Sequence, residues 1–186
     1  MEIAELDRII AEPLGEFYRE VLSSPWCGRE HEMVSLFVLG YLARHCSPNG
    51  LFRLTQIGID VGVKQLKEPK PGNKKGPTKT VQKDVVVWSE PNETLWTPDG
   101  QVLNKPLAVM EWKVIHQFNK DSLKKLKGEY DYDKRWLERT ANRIGANFVG
   151  YAVLANTASA LRTLTCARIE STNCEAKDWI VLNGEL

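Results

Sequence analysis

Asp84, Glu111 and Lys113 are the residues whose types and spacing suggest chemistry. Each lies in a short apolar run. Lys83-Asp84-Val85-Val86-Val87-Trp88 is one; Leu107-Ala108-Val109-Met110-Glu111-Trp112-Lys113-Val114 is the other. Both are rich in β-branched and aromatic residues and are bounded by turn formers, so both are expected to be strands. Their scant alternation predicts burial on both faces, as in the middle of an α/β sheet. A carboxylate in such a strand costs several kcal/mol (about 2–7 for a polar group) unless it is paired or holds a cation. Period two puts Glu111 and Lys113 on one face. If the strands are neighbours, Asp84 joins them, and two carboxylates and an amine share one small volume.

Two close carboxylates repel, so one is protonated or a cation sits between them. Mg²⁺ commonly takes one or two carboxylates and completes its shell with water and phosphate oxygens. The backbone carbonyl of Trp112 is a further candidate ligand beside Asp84 and Glu111. A lysine at that point can orient or deprotonate a water, or stabilise charge on a phosphate. The chemistry is that of phosphodiester hydrolysis with Mg²⁺ or Mn²⁺.

An Asp on one strand followed by Glu-Trp-Lys at a strand end resembles the PD-(D/E)XK nuclease superfamily. That pattern is an Asp on one strand and Glu/Asp-x-Lys on the next, often with a Glu from the first core helix. Arg29-Glu30-His31-Glu32-Met33-Val34 is similar to that helix start, especially as seen in archaeal Holliday-junction resolvases. The similarity spans roughly Arg29 to Leu154, with Lys83 standing where the pattern has Pro. It implies a restriction-endonuclease-like three-layer α/β sandwich, a central mixed β-sheet flanked by helices. It also implies a metal-dependent DNA endonuclease with Glu30, Asp84, Glu111 and Lys113 as catalytic residues. A resolvase-like role further implies a homodimer, because paired cuts need two sites. The alternative is a non-catalytic nucleic-acid- or protein-binding module on the same fold, with Glu111 and Lys113 as a buried ion pair.

The elements that must position these residues follow from hydrophobic period. Residues 1–23 carry an apolar stripe at helical spacing, with Pro13 expected to kink or split the helix. Ser24 and Pro25 suit the cap and first position of a restart. The second helix, from Trp26 or Arg29 to His45, buries Met33, Val34, Phe37, Val38, Tyr41 and Leu42. Glu30 shares that face and is preferred over Glu32 as the helix carboxylate, although an acid there also suits the helix dipole. Residues 51–65 are expected to be a strand with a glycine-rich face.

Residues 89–106 are expected to be a hairpin insertion with a Pro-Asp-Gly turn. Residues 120–145 have helical spacing, with Tyr132, Trp136, Leu137 and Ile144 on the buried stripe and a solvated mixed-charge face opposite. Asn147–Leu154 is a core strand, Ala155–Ala167 a last helix, and residues 179–182 a final strand.

At 186 residues, 42% hydrophobic and 26% charged, the chain suits one soluble domain. No apolar run reaches membrane-spanning length and no basic-then-apolar leader opens the chain. The four cysteines lack metal or disulfide spacing, so a cytoplasmic protein with free thiols is expected. The net charge of +1 exerts no global pull on nucleic acid. The basic run from Lys64 to Lys83 reads either as a solvated loop or as a local contact for a phosphate backbone, in which case Lys74, Lys75, Lys79 and Lys83 are the candidate contacts. His31-Glu32 fails as a zinc motif because Ser35 stands where the second His is required.

Overall fold

A computed structural model describes residues 2–49, 52–64, 80–92, 105–116, 120–158, 161–171 and 177–185. Lys74, Lys75, Lys79 and the body of the expected 89–106 hairpin lie outside these residues.

The chain forms an α/β fold in which a six-stranded mixed sheet carries three helices. The helices are α1 (Ile3–Phe17), α2 (Glu30–Gly40) and α3 (Lys120–Ile144). The strands are β1 (Ile57–Lys64), β2 (Thr80–Trp88), β3 (Pro106–Ile115), β4 (Val149–Asn156), β5 (Leu161–Glu170) and β6 (Lys177–Glu185). Strand order in the sheet equals chain order. All neighbours are antiparallel except β3 and β4, which run parallel and are joined through α3. Parallel neighbours require such a crossover.

Two clusters of buried side chains lie on the two faces. Val85, Val87, Met110 and Trp112 pack with Leu14 and Phe17 of α1 and Phe37 of α2. Val86, Trp88 and Val109 pack with Trp136, Leu137 and Ala141 of α3. Central strands buried on both faces explain the near-continuous apolar runs of β2 and β3. Gly150 of β4 lets α3 sit close, since a Cβ there would lie 2.9 Å from the Leu137 Cβ. This seating sets the height of Asp133, one helical turn before Leu137.

Several expectations are corrected. The helix expected over Ala155–Ala167 does not form: among the described residues of that stretch, β4 runs to Asn156 and β5 begins at Leu161. Leu164 and Cys166 alternate inward beside Thr163 and Thr165, and the eight-residue pairing with β4 outweighs the helix propensity of Ala and Leu. Helix α1 continues through Pro13, and the irregularity falls later, as a π-helical turn at Tyr18–Leu22. Of the two starts expected for α2, Trp26 and Arg29, the second holds, with Arg29 as N-cap and Glu30 the first helical residue; the helix ends at Gly40 and a 3₁₀ turn at Leu42–His45 completes the segment. A short 3₁₀ turn, Leu54–Gln56, precedes β1. On α3 the buried tyrosine is Tyr130, whereas Tyr132 is 52% exposed.

Side-chain alternation breaks in β1 and β2 where the site begins. Ile59 packs on the α1/α2 side, but Val61, two residues on, packs on the α3 side. Between them Asp60 takes a left-handed backbone, φ +52°. On β2, Val85 faces α1/α2, whereas the Lys83 ammonium lies 3.9 Å above the Trp136 ring of α3. Regular pleating would put residues two apart on the same face. The break brings Lys83 to the side that bears Glu111.

Candidate functional site

Strands β2 and β3 pair only over part of their lengths. The ladder runs from Trp88↔Pro106 to Val85↔Met110 and stops. Beyond it, β2 pairs with β1 as far as Lys64↔Thr80, and β3 pairs with β4 as far as Ile115↔Asn156. Asp84 and Glu111 are the first residues past the last rung. The Trp112 amide, which the ladder leaves free, donates to the Asp84 carboxylate at 2.6 Å. A side chain thus takes the place of a strand carbonyl where the two strands part.

Trp112 anchors this point. Its indole is fully buried, with ring centroids 5.7 Å from Phe17 and 5.2 Å from Phe37. With Trp112 locked to the α1/α2 side, alternation turns Glu111 and Lys113 to the other. The Lys113 ammonium lies 3.3 Å from Glu30 Oε1, 3.4 Å from Asp133 Oδ2 and 2.8 Å from the Trp112 carbonyl. Glu111 pairs with Lys83, both almost wholly buried. The expected Glu111–Lys113 pair is therefore not the one formed. Glu111 belongs to Lys83, and Lys113 to Glu30 and Asp133.

The four predicted residues Glu30, Asp84, Glu111 and Lys113 come together from α2, β2 and β3. The two helix acids take different places in the fold. Glu32 accepts the Arg29 amide at 2.6 Å and caps α2, while Glu30 reaches Lys113. Lys83 is corrected from a surface phosphate contact to a buried partner of Glu111. The Trp112 carbonyl is engaged by Lys113.

Asp133 escaped the sequence reading, which assigned it to a solvated face. It is 8% exposed, and its Oδ2 lies near Lys113 without a hydrogen-bond partner among the described residues. The signal was its spacing: three residues from Tyr130 and Trp136 and four from Leu137, all buried.

Four carboxylates thus face two ammonium groups. Burial is the main cause that raises the Glu30, Asp84 and Glu111 carboxyls, Glu111 to about 7, and their mutual repulsion adds to it. Burial alone would lower the Lys113 ammonium, but Glu30, Asp133 and Asp84 more than offset this and raise it. Lys113 therefore stays charged at neutral pH.

Among the described residues, no three or more His, Cys, Asp or Glu side chains are arranged to hold a metal ion on their own. The donor set nevertheless fits a hard divalent cation of the kind held by two carboxylates with water and phosphate filling the rest of the shell. Asp84 and Glu111 flank the parting strands, the cluster has an excess of negative charge, and Asp133 keeps a buried oxygen without a hydrogen bond. Lys83 occupies part of the Glu111 carboxylate, so a cation there would compete with that ammonium.

No protein-family model, curated protein or solved structure matches the chain. No helix among the described residues is long and apolar enough to cross a membrane.

Proposed function

We propose that the protein is a Mg²⁺- or Mn²⁺-dependent nuclease of the PD-(D/E)XK type, on a restriction-endonuclease-like three-layer sandwich, hydrolysing phosphodiester bonds in DNA. The observation that carries this reading is the convergence of Asp84, Glu111, Lys113 and Glu30 where β2 and β3 part. An isolated Glu-x-Lys occurs often by chance. An upstream Asp on the adjacent strand and a Glu from the preceding helix, all at one point, do not follow from that short motif.

Asp84 and Glu111 would hold the cation, with Glu30 within reach through a water. The cation would supply charge neutralisation for the scissile phosphate. Lys113, kept as an ammonium by Glu30 and Asp133, orients the attacking water and stabilises negative charge growing on the phosphate. Glu30, whose carboxyl is raised by burial, is placed beside Lys113 to take the water's proton. The water oxygen bonds to phosphorus, the phosphorus–oxygen ester bond on the opposite side breaks, and the departing oxygen takes a proton from solvent.

One observation favours a non-catalytic module instead: every described lysine of the cluster is already paired, so the site is consistent with a structural ion network. Cleavage decides between them. Supercoiled plasmid and linear single-stranded DNA are incubated with wild type, Glu111→Ala and Lys113→Ala in Mg²⁺, Mn²⁺ or EDTA. The nuclease requires metal-dependent cutting that drops at least about a hundredfold in both variants. Equal cutting by Lys113→Ala sinks the mechanism. No cutting by any protein, with Mn²⁺ leaving the thermal midpoint unmoved, supports the module.

A further inference from the structure

The site does not end at the carboxylates. A cleft of about 400 Å³ continues from Lys113 and Asp133 along α3, lined by Lys125, Gly128, Glu129 and Tyr132. That volume lies in the range of sites for small organic molecules, roughly 300–1,000 Å³. Residues 125, 128, 129 and 132 are spaced by three and four, so they form one stripe of the helix.

Two features of this stripe have no explanation in the packing of the fold. Gly128 sits inside a long helix, where glycine costs roughly 0.5–1 kcal/mol relative to alanine. Among the described residues a Cβ at that position would meet nothing within 4 Å, so none of them requires the glycine by contact. Tyr132 is half exposed, and among the described residues its ring and hydroxyl have no partner. Tyr130, two positions earlier, shows what a structural tyrosine does here: it is buried and donates to the Ala152 carbonyl at 3.2 Å. Lys125 completes the stripe, 79% exposed and 3.8 Å from Glu129, a pairing weak enough to yield to a phosphate.

We infer that this cleft seats one unpaired nucleotide of a single-stranded substrate. Its base lies against the Tyr132 ring over the bare surface at Gly128, one phosphate points to Lys113, and the next meets Lys125. This rests on the nuclease reading for the direction of the strand. The unpaired state follows from geometry. In a duplex both faces of a base are covered by its neighbours, and a lone aromatic on a helix can cover a base face only after the base leaves the stack. An aromatic platform with adjacent lysines is the general means of holding single strands.

The test measures binding of a fluorescein-labelled single-stranded DNA oligonucleotide, and of the same strand in its duplex, by anisotropy. It is run in Ca²⁺ and in EDTA, with wild type, Tyr132→Ala, Tyr132→Phe and Gly128→Leu. Because Tyr132 and Gly128 are exposed, thermal midpoints should be unchanged for the two Tyr132 variants and equal to or above wild type for Gly128→Leu, which removes a helix-interior glycine. Tyr132→Ala and Gly128→Leu should each weaken single-strand binding about tenfold, Tyr132→Phe should bind as wild type, and duplex affinity should not depend on position 132. Wild-type affinity for single strands in Tyr132→Ala, or absence of single-strand binding by wild type, overturns the inference. Failure of the two readings is separable. Glu111-dependent cutting that is indifferent to Tyr132 leaves the nuclease and removes the nucleotide seat. Tyr132-dependent binding without metal-dependent cutting does the reverse.

Discussion

The same two strands contribute both to the buried core and to the charged cluster. Over Val85–Trp88 and Pro106–Met110 they are hydrogen-bonded to each other, and their side chains are buried on both faces. Past Val85↔Met110 each strand turns to its other neighbour, and Lys83, Asp84, Glu111 and Lys113 occupy the fork. One rung separates Met110, a core side chain, from Glu111, whose carboxyl is pushed up to about 7. Backbone pairing and apolar filling support each other in the first half. In the second half the ladder is gone, and side chains must satisfy what backbone no longer does, as Asp84 does for the Trp112 amide. A charged cluster is tolerated there because the strands have parted and polar partners can enter from α2 and α3.

The contrast is broken most severely by comparing adjacent residues. Glu111→Ala should remove metal-dependent cleavage from the folded protein, by at least about a hundredfold, and should also lower the thermal midpoint, because it leaves the buried Lys83 ammonium without its partner. Met110→Ala should lose about 2–5 kcal/mol of stability, read by urea unfolding, and leave the activity of the folded fraction near wild type. If Met110→Ala abolished cleavage while the protein stayed folded, core and site could not be treated as separate halves.

Lys83→Met is next in size. It leaves Glu111 buried without its cation, which should cost on the order of 3 kcal/mol in EDTA near pH 8. Mn²⁺ should recover much of this, because nothing then competes for the carboxylate, so the Mn²⁺-induced rise in thermal midpoint should exceed that of wild type. An equal or smaller rise would remove Glu111 from the list of metal ligands.

A smaller effect is expected from pH. The ordinary glutamate value is 4.5 and the folded value for Glu111 is about 7. Below about 4.5 the group is protonated whether folded or not, and its burial carries no charge penalty. As pH rises through 7 the folded protein must release a proton that it holds more tightly than the unfolded chain does, so stability falls. In EDTA, Glu111→Gln should flatten the decline of unfolding free energy between about pH 4.5 and 7; an unchanged slope would show that other groups set it. Smallest is Asp60→Gly. A left-handed backbone is strained for a residue with a Cβ, so glycine there should stabilise by about 1 kcal/mol or less without altering cleavage. A loss of stability would mean that the Asp60 side chain itself maintains the break in alternation.

Much of the architecture was legible in the sequence because burial on both faces writes continuous apolar runs. That is why β2, β3 and β4 were identifiable, and why the charges inside β2 and β3 were conspicuous. Helix α2 was legible from its stripe, and of its two candidate starts, Trp26 and Arg29, the structure takes the second, with Arg29 as the N-cap. Segment 155–167 reads as a helix in sequence for a physical reason. Alanine and leucine favour a helix locally, and only pairing with β4 reverses that choice, an interaction that no local window contains. The same limit hid the partners of the ion pairs. Lys83 was grouped with its basic neighbours in sequence, yet the break in pleating sends it under Trp136 to Glu111. By sequence Asp133 is one acid among many on α3, although its spacing to Tyr130, Trp136 and Leu137 marks it as inward-facing.

The bond from the Trp112 amide to Asp84 ties a main-chain proton to the charge on a site carboxylate. Its nitrogen lies between Glu111 and Lys113, while its indole is fixed in the core by Phe17 and Phe37. Any proton, cation or phosphate that draws on Asp84 alters the polarisation of that single N–H bond without requiring the backbone to move. In an NMR spectrum the Trp112 amide is therefore a built-in voltmeter for the fork between the strands, read at one peak and calibrated by titration of Asp84 itself.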